Sequence, residues 1–289
     1  MLKEWPLVAF TVAGQAAVGI FLFAGLPLFL SVGAGGNAVA REARLVVLAV
    51  VLGLLAAAAL LSLFHLHHPF RARRVLTNIG TSWLSREIFF ELGFMAFVSL
   101  GLFLVWSGWA GTGITRGIMI AAALLGVLFI LSMSKLYMLP TVPPWNQAYT
   151  PFSFFLTSLA LGALAAALIR GLGGETPSRS GAFILLSFIF AAAEAALAFF
   201  AAPGQGVFGY RSGPSLRPPA KAPRFLHRTR LALALAALVL LGAALRAGWG
   251  QSEGGQVQAV LLISAFGLVL SGQFVGRFLF YGLLTRPGR

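Results

Sequence analysis

The stretch FHLHHPFRARRVLTNIGTSWLSREI, residues 64–88, gathers three of the four histidines with Arg71, Arg73, Arg74, Arg86 and Glu87. It follows an unbroken apolar run, so His65 falls where that run meets water. An imidazole there can take a proton from a hydroxyl and hand it to solvent, because its ordinary pKa lies near 6.5. The blander reading makes His65, His67 and His68 simple interfacial polar residues. A second pair of titratable groups follows: Glu87 and Glu91 are four residues apart, which puts both carboxylates on one face of a helix. With Ser85 as the N-cap they would occupy the first turns and complement the helix dipole, with Arg86 as a partner. The other reading has them relay protons toward His65.

Metal chemistry is excluded on the same residues. HLHH has no carboxylate or cysteine beside it and lacks the usual zinc spacing, so no metal site is expected. A b-type haem needs imidazoles from facing helices, whereas three histidines share one segment and the fourth, His227, borders a proline-rich loop. No haem is expected.

The elements that must position these groups are membrane helices. Of 289 residues, 59% are hydrophobic and 10% are charged, against about 25% charged in soluble domains. Lipid cannot satisfy open backbone groups, so a span takes about 20 apolar residues of helix. Eight such stretches are expected at about 7–30, 43–66, 88–108, 116–134, 151–170, 181–201, 229–246 and 257–281. The fold is therefore an all-α integral membrane protein. The first stretch is long enough to span and has only Lys3 as a basic residue before it, which reads as a retained helix and not a cleaved leader. Cysteine is absent, so no thiolate metal site or iron–sulfur cluster can be built from this chain.

A net charge of +14 would suit nucleic acid, but the basic residues sit between spans, where positive-inside bias explains them. With eight spans both termini share a face. Of the 21 lysines and arginines, Arg41, Arg44, Arg116, Arg170, Arg179 and Arg246 fall on the opposite face and the rest with the termini. That asymmetry places the termini, and the connections after spans two, four and six, in the cytoplasm. The longest of these, about 202–228, is proline-rich and reads as a loop.

Spans one and five open alike: Pro6 and Pro151 are each followed four residues later by Phe10 and Phe155. This pattern fits two duplicated four-helix bundles, or ordinary helix-start chemistry. Thr11 with Gln15, Gln273 with Arg277, and Glu194 are polar positions inside spans, where hydrogen bonds between helices are the common role. Tyr137, Trp145 and Tyr149 in the fourth connection form either a headgroup belt or a wall for a flat apolar ligand.

Four blocks, EWPLVAFTVAGQ, the 64–88 stretch, TVPPWNQAYTPFSFFLTSLALG and LSGQFVGRFLFYG, resemble in order the DmsC family, the membrane anchor subunits of dimethyl sulfoxide reductase and related molybdopterin oxidoreductases. The resemblance implies a haem-free, eight-helix subunit in a prokaryotic inner membrane. Its partners would be a four-cluster ferredoxin-like iron–sulfur subunit and a molybdopterin catalytic subunit, with menaquinol bound under the nearest cluster in anaerobic respiration. The family's histidine after span two matches His65, associated with quinol oxidation, and its loop motif matches Pro69, Arg71, Leu76, Ser82, Leu84, Ser85 and Glu87. Quinone contacts are accordingly expected from His65, Pro69, Arg71 and Ser85, with Trp145 and Tyr149 as the wall, and proton transfer from His65 and Glu87. Arg71, Arg73, Arg74 and Arg86 would dock the partner.

Two departures stand out. Gln273 occupies a place where family members often carry Glu, and the family's catalytic face lies outside the cytoplasm while the charge bias here puts it inside. The alternatives are an anchor for a cytoplasm-facing sulfite dehydrogenase that reduces quinone, a purely structural anchor, and a transporter, whose broken helices and midplane charges are represented by little beyond Glu194.

Overall fold

The computed structural model describes residues 5–30, 38–65, 78–109, 112–142, 145–172, 177–200, 221–247 and 254–282. Eight helices among them are long and apolar enough to cross a membrane. The first span begins as α1 (Trp5–Ile20) and continues through a π-helical turn (Phe21–Gly25) and a short helix (Pro27–Leu30). Pro27 has no N–H to continue the α-helical ladder, and Leu26 N–H reaches back to the Phe21 carbonyl at 2.7 Å, the wider π-type closure. The remaining spans are α2 (Ala38–His65), α3 (Trp83–Trp106), α4 (Gly113–Tyr137), α5 (Tyr149–Leu172), α6 (Pro177–Phe200), α7 (Lys221–Ala247) and α8 (Gly254–Gly282).

Several helices start earlier than the sequence reading places them, and two of these starts change the setting of polar residues. Helix α3 starts five residues before the expected residue 88, because Ser82, not Ser85, is the N-cap: its side chain accepts the Ser85 N–H at 3.4 Å. Helix α7 starts at Lys221 and not near 229, so the end of the proline-rich connection is helical. Pro223 falls in its first turn, where a missing N–H costs nothing.

The protein divides into two units with four spans each: Ala9–Leu136, and Tyr137–Arg289 with Met1–Val8. In the amino-terminal unit α2 packs along α3, and Arg41 near the start of α2 donates to the Trp106 carbonyl at 2.9 Å, at the C-terminus of α3. That places a cation where the helix dipole is negative. After α3 the backbone turns through Gly108, whose φ of +90° is a conformation that side-chain-bearing residues avoid. Phe21 meets Phe94 edge-on at 5.3 Å, and Gly126 on α4 lets Val18 and Phe94 close in, since a Cβ there would lie 3.2 Å and 3.4 Å from them. In the carboxy-terminal unit α5 packs on α6, α6 on α7, α7 on α8 and α8 on α5, a closed ring of four. Large apolar side chains such as Leu235, Val239 and Ile263 point outward, as lipid permits.

Candidate functional site

Side-chain neighbours fix the register within the amino-terminal unit. Leu48 on α2 lies against Gly101 on the antiparallel α3; seventeen residues on, α2 ends at His65, and seventeen back along α3 stands Leu84. The backbone of His65 is thus about level with Leu84 and Ser85. Glu87 is three residues further, roughly 4.5 Å along the axis. Of His65 only the backbone is described; Pro69, Arg71, Arg73, Arg74, Leu76, His67 and His68 lie outside the described residues.

Ser85 is buried at the first turn of α3. Arg86 does not turn to the carboxylates: its Nε and Nη2 donate to the Ile79 and Gly80 carbonyls at 2.8 Å and 2.7 Å, and its guanidinium lies 4.4 Å from the Trp83 ring. It therefore locks the turn that feeds α3.

Glu87 and Glu91 are 2% and 6% exposed, and the Oε1 atom of each is buried with no hydrogen-bond partner among the described residues. Because α3 begins at Trp83, its first turn contains no acid. The expectation that these carboxylates complement the dipole therefore fails: they fall in the second and third turns, where the terminal field has decayed. Their surroundings follow from the same register. Gly126 lies beside Phe94, so Met133, seven further on α4, is level with Glu87, and Lys135 with Ser85. Gln15 on α1 aims its Nε2 at Met133 Sδ, 3.9 Å away, and Gln15 and Thr11 are fully buried. A polar layer that includes Thr11, Gln15, Ser85, Glu87, Glu91 and Lys135 thus crosses the bundle at this level.

Trp145 and Tyr149 belong to the other unit. Trp145 is buried with its face stacked on Phe280 at 5.2 Å, and its indole N–H donates to the Phe280 carbonyl at 2.8 Å. Tyr137, Tyr281 and Phe154 complete this aromatic cluster, edge-on or tilted. Tyr149 OH accepts from Arg230 Nη1 at 3.2 Å, which leaves its own proton available to donate.

The same unit supplies a companion that sequence reasoning missed: Arg230 on α7 forms an ion pair with Glu194 on α6. A signal existed. With α7 begun at Lys221, Arg230 lies more than two turns inside a helix, and a cation there needs an anion. Gln273 and Arg277 on α8 meet Thr157 on α5, at 2.9 Å and 3.5 Å, and the Arg277 guanidinium lies 3.6 Å from the Phe154 ring centroid. The Thr157 hydroxyl has one proton and lies 2.8 Å from the Ser153 carbonyl, so the Gln273 amide satisfies all three groups when its NH₂ faces Thr157. Among the described residues no cluster of His, Cys, Asp or Glu could hold a metal ion.

Residues 1–283 match the family model of the DMSO reductase anchor subunit, DmsC. The protein is 31% identical to the YnfH polypeptide of anaerobic dimethyl sulfoxide reductase from Escherichia coli K12 over 289 residues, 99% of its own length and 96% of that relative's. The C polypeptide of anaerobic dimethyl sulfoxide reductase in the same organism is 31% identical over 299 residues, again 99% and 96%. Its counterpart from Haemophilus influenzae is 34% identical over 165 residues, 56% of this protein and 57% of that one.

Proposed function

Because the protein belongs to the DmsC family of DMSO reductase anchor subunits, we propose that it oxidises menaquinol and delivers the electrons to an iron–sulfur partner subunit that serves a molybdopterin catalytic subunit. The observation that carries this reading is the level shared by the end of α2 and the start of α3: the His65 backbone about level with Leu84 and, nearly one turn on, the buried carboxyl of Glu87, one oxygen of which has no partner among the described residues. A quinol loses two electrons and two protons. Iron–sulfur centres take only electrons, so the protons need acceptors of their own at the point of oxidation. A histidine at the water edge takes one and passes it to solvent; the carboxyl behind it takes the other. Pro69, Arg71 and Ser85 flank the quinol ring in this reading, and Arg71, Arg73, Arg74 and Arg86 attract an acidic face of the iron–sulfur subunit.

The test uses the complex purified with its partners. Addition of a water-soluble naphthoquinol should reduce the iron–sulfur clusters, followed by absorbance. His65→Ala and Glu87→Gln should each slow that reduction by about 10²-fold while the partners still copurify. Unchanged cluster reduction in both variants would remove the quinol site from this place.

The lysine and arginine asymmetry supports an inner-membrane orientation with the amino terminus, and with it the α2–α3 connection two spans later, in the cytoplasm. It also favours a second reading of the partner, a cytoplasm-facing enzyme such as a sulfite dehydrogenase whose electrons run into quinone. The sequence has no cysteine, so a single cysteine placed at Asn78 reports the side directly. Labelling of intact cells by an impermeant maleimide would refute the cytoplasmic assignment.

A further inference from the structure

We propose that Glu91 is a second proton-bearing carboxyl of the same site, holding one proton jointly with Glu87 and receiving, through Glu87, the second proton of the quinol. The inference rests on the quinol-oxidation reading above. Four features of the fold lead to it. Glu91 stands one helical turn deeper than Glu87 on the same face of α3. Both side chains are more than nine-tenths buried, and an oxygen of each has no hydrogen-bond partner among the described residues. Arg86, the nearest cation in sequence, is committed to the Ile79 and Gly80 carbonyls. Ten residues back along α3 from Gly101 is Glu91, and ten on along α2 from Leu48 is Ala58, within a run of four alanines, so α2 brings no bulky side chain to that level.

A carboxylate kept only to tie helices together would show a tie, as Glu194 does with Arg230. Glu91 shows none among the described residues. The charged groups on the elements packed around it are few. The first span, residues 5–30, contains no ionisable side chain. Helix α2 contributes Arg41, Glu42 and Arg44 near its start, level with the far end of α3, and His65 at its end. Helix α4 contributes Arg116 at the far end and Lys135 level with Ser85. Ionising both carboxyls would set two negative charges one turn apart in a low-dielectric span. With one proton between them the pair carries a single negative charge, which Lys135 at the water edge favours.

On oxidation the quinol's two O–H bonds break, its two electrons pass to the partner's iron–sulfur centres, and the ring becomes quinone. One proton goes to His65. The other goes to the ionised member of the carboxyl pair, which becomes neutral and later returns that proton to water at the start of α3.

Three variants of the intact complex, Glu91→Gln, His65→Ala and Glu87→Gln, separate this inference from its premise, with Glu91→Asp as the conservative rescue. Glu91→Gln should bind oxidised naphthoquinone with an affinity within about twofold of wild type yet reduce the clusters at least about tenfold more slowly. The acid limb of its pH–rate profile should shift, since Glu87 then titrates without a like-charged neighbour. Glu91→Asp should restore much of the rate. Redox-induced infrared difference spectra supply a readout independent of assembly yield: the protonated-carboxyl C=O band of wild type should lose intensity in Glu91→Gln. If Glu91→Gln matches wild type in rate, pH profile and infrared band while His65→Ala and Glu87→Gln are slow, Glu91 has no part in proton transfer. If all three match wild type, the quinol reading fails, and this inference with it.

Discussion

Among the described residues the amino-terminal unit buries two carboxyl groups inside its spans and the carboxy-terminal unit one, and they are treated in opposite ways. In the carboxy-terminal unit Glu194 meets Arg230, which also donates to Tyr149, and Gln273 and Arg277 converge on Thr157. In the amino-terminal unit Glu87 and Glu91 are buried, each with one oxygen that has no hydrogen-bond partner among the described residues. A paired carboxylate in a low-dielectric span has its charge fixed by its partner and cannot readily exchange protons. An unpaired one has no such constraint, and the cost of burying it is tolerated where protons must move. The first arrangement holds helices together; the second suits chemistry.

Three substitutions bear on this contrast. The largest effect is expected from Glu194→Ala, which strands the Arg230 charge in a buried site and should cost about 3–5 kcal/mol of stability. Thermal unfolding of the detergent-solubilised protein measures it, and the double variant Glu194→Leu with Arg230→Met should recover most of the loss. A small loss in the single variant would mean that the pair is not a tie, and the contrast would collapse. Gly276→Ala comes next. A Cβ there would lie 2.8 Å and 2.9 Å from Arg230 Nε and Cζ, so the guanidinium must shift, at about 1–3 kcal/mol. If the same melts show no loss, the guanidinium has room to move and the interlock is looser than its contacts suggest. The smallest effect belongs to Glu87→Gln, which breaks no ion pair among the described residues and should change stability by less than about 1 kcal/mol while slowing the proposed quinol oxidation. A loss of several kcal/mol would turn Glu87 into a structural tie and make the two units alike.

Much of this was legible in the residues. The eight spans follow from apolar length alone, whereas the echo of Pro6–Phe10 in Pro151–Phe155 left a duplicated four-helix unit open beside ordinary helix-start chemistry, and the division into two units came from the contacts. The helix starts were less legible, because Ser82 and Ser85 are equally good caps in sequence and only the backbone decides which one turns its side chain back. That displacement of three residues matters: it moves Glu87 out of the first turn and removes the dipole explanation. Glu194 was recognisable as costly but its partner was not. Arg230 lies 36 residues away behind a proline-rich connection, and its place depended on where α7 begins.

The sequence by itself determined that this is a membrane protein, where it crosses the bilayer, and which short stretch concentrates titratable groups, because hydrophobic length and residue chemistry are local properties. Tertiary structure alone decided which buried charges are paired. Pairing depends on register between helices distant in sequence, and a rotation or slide of one turn changes which side chains meet while leaving every local pattern intact.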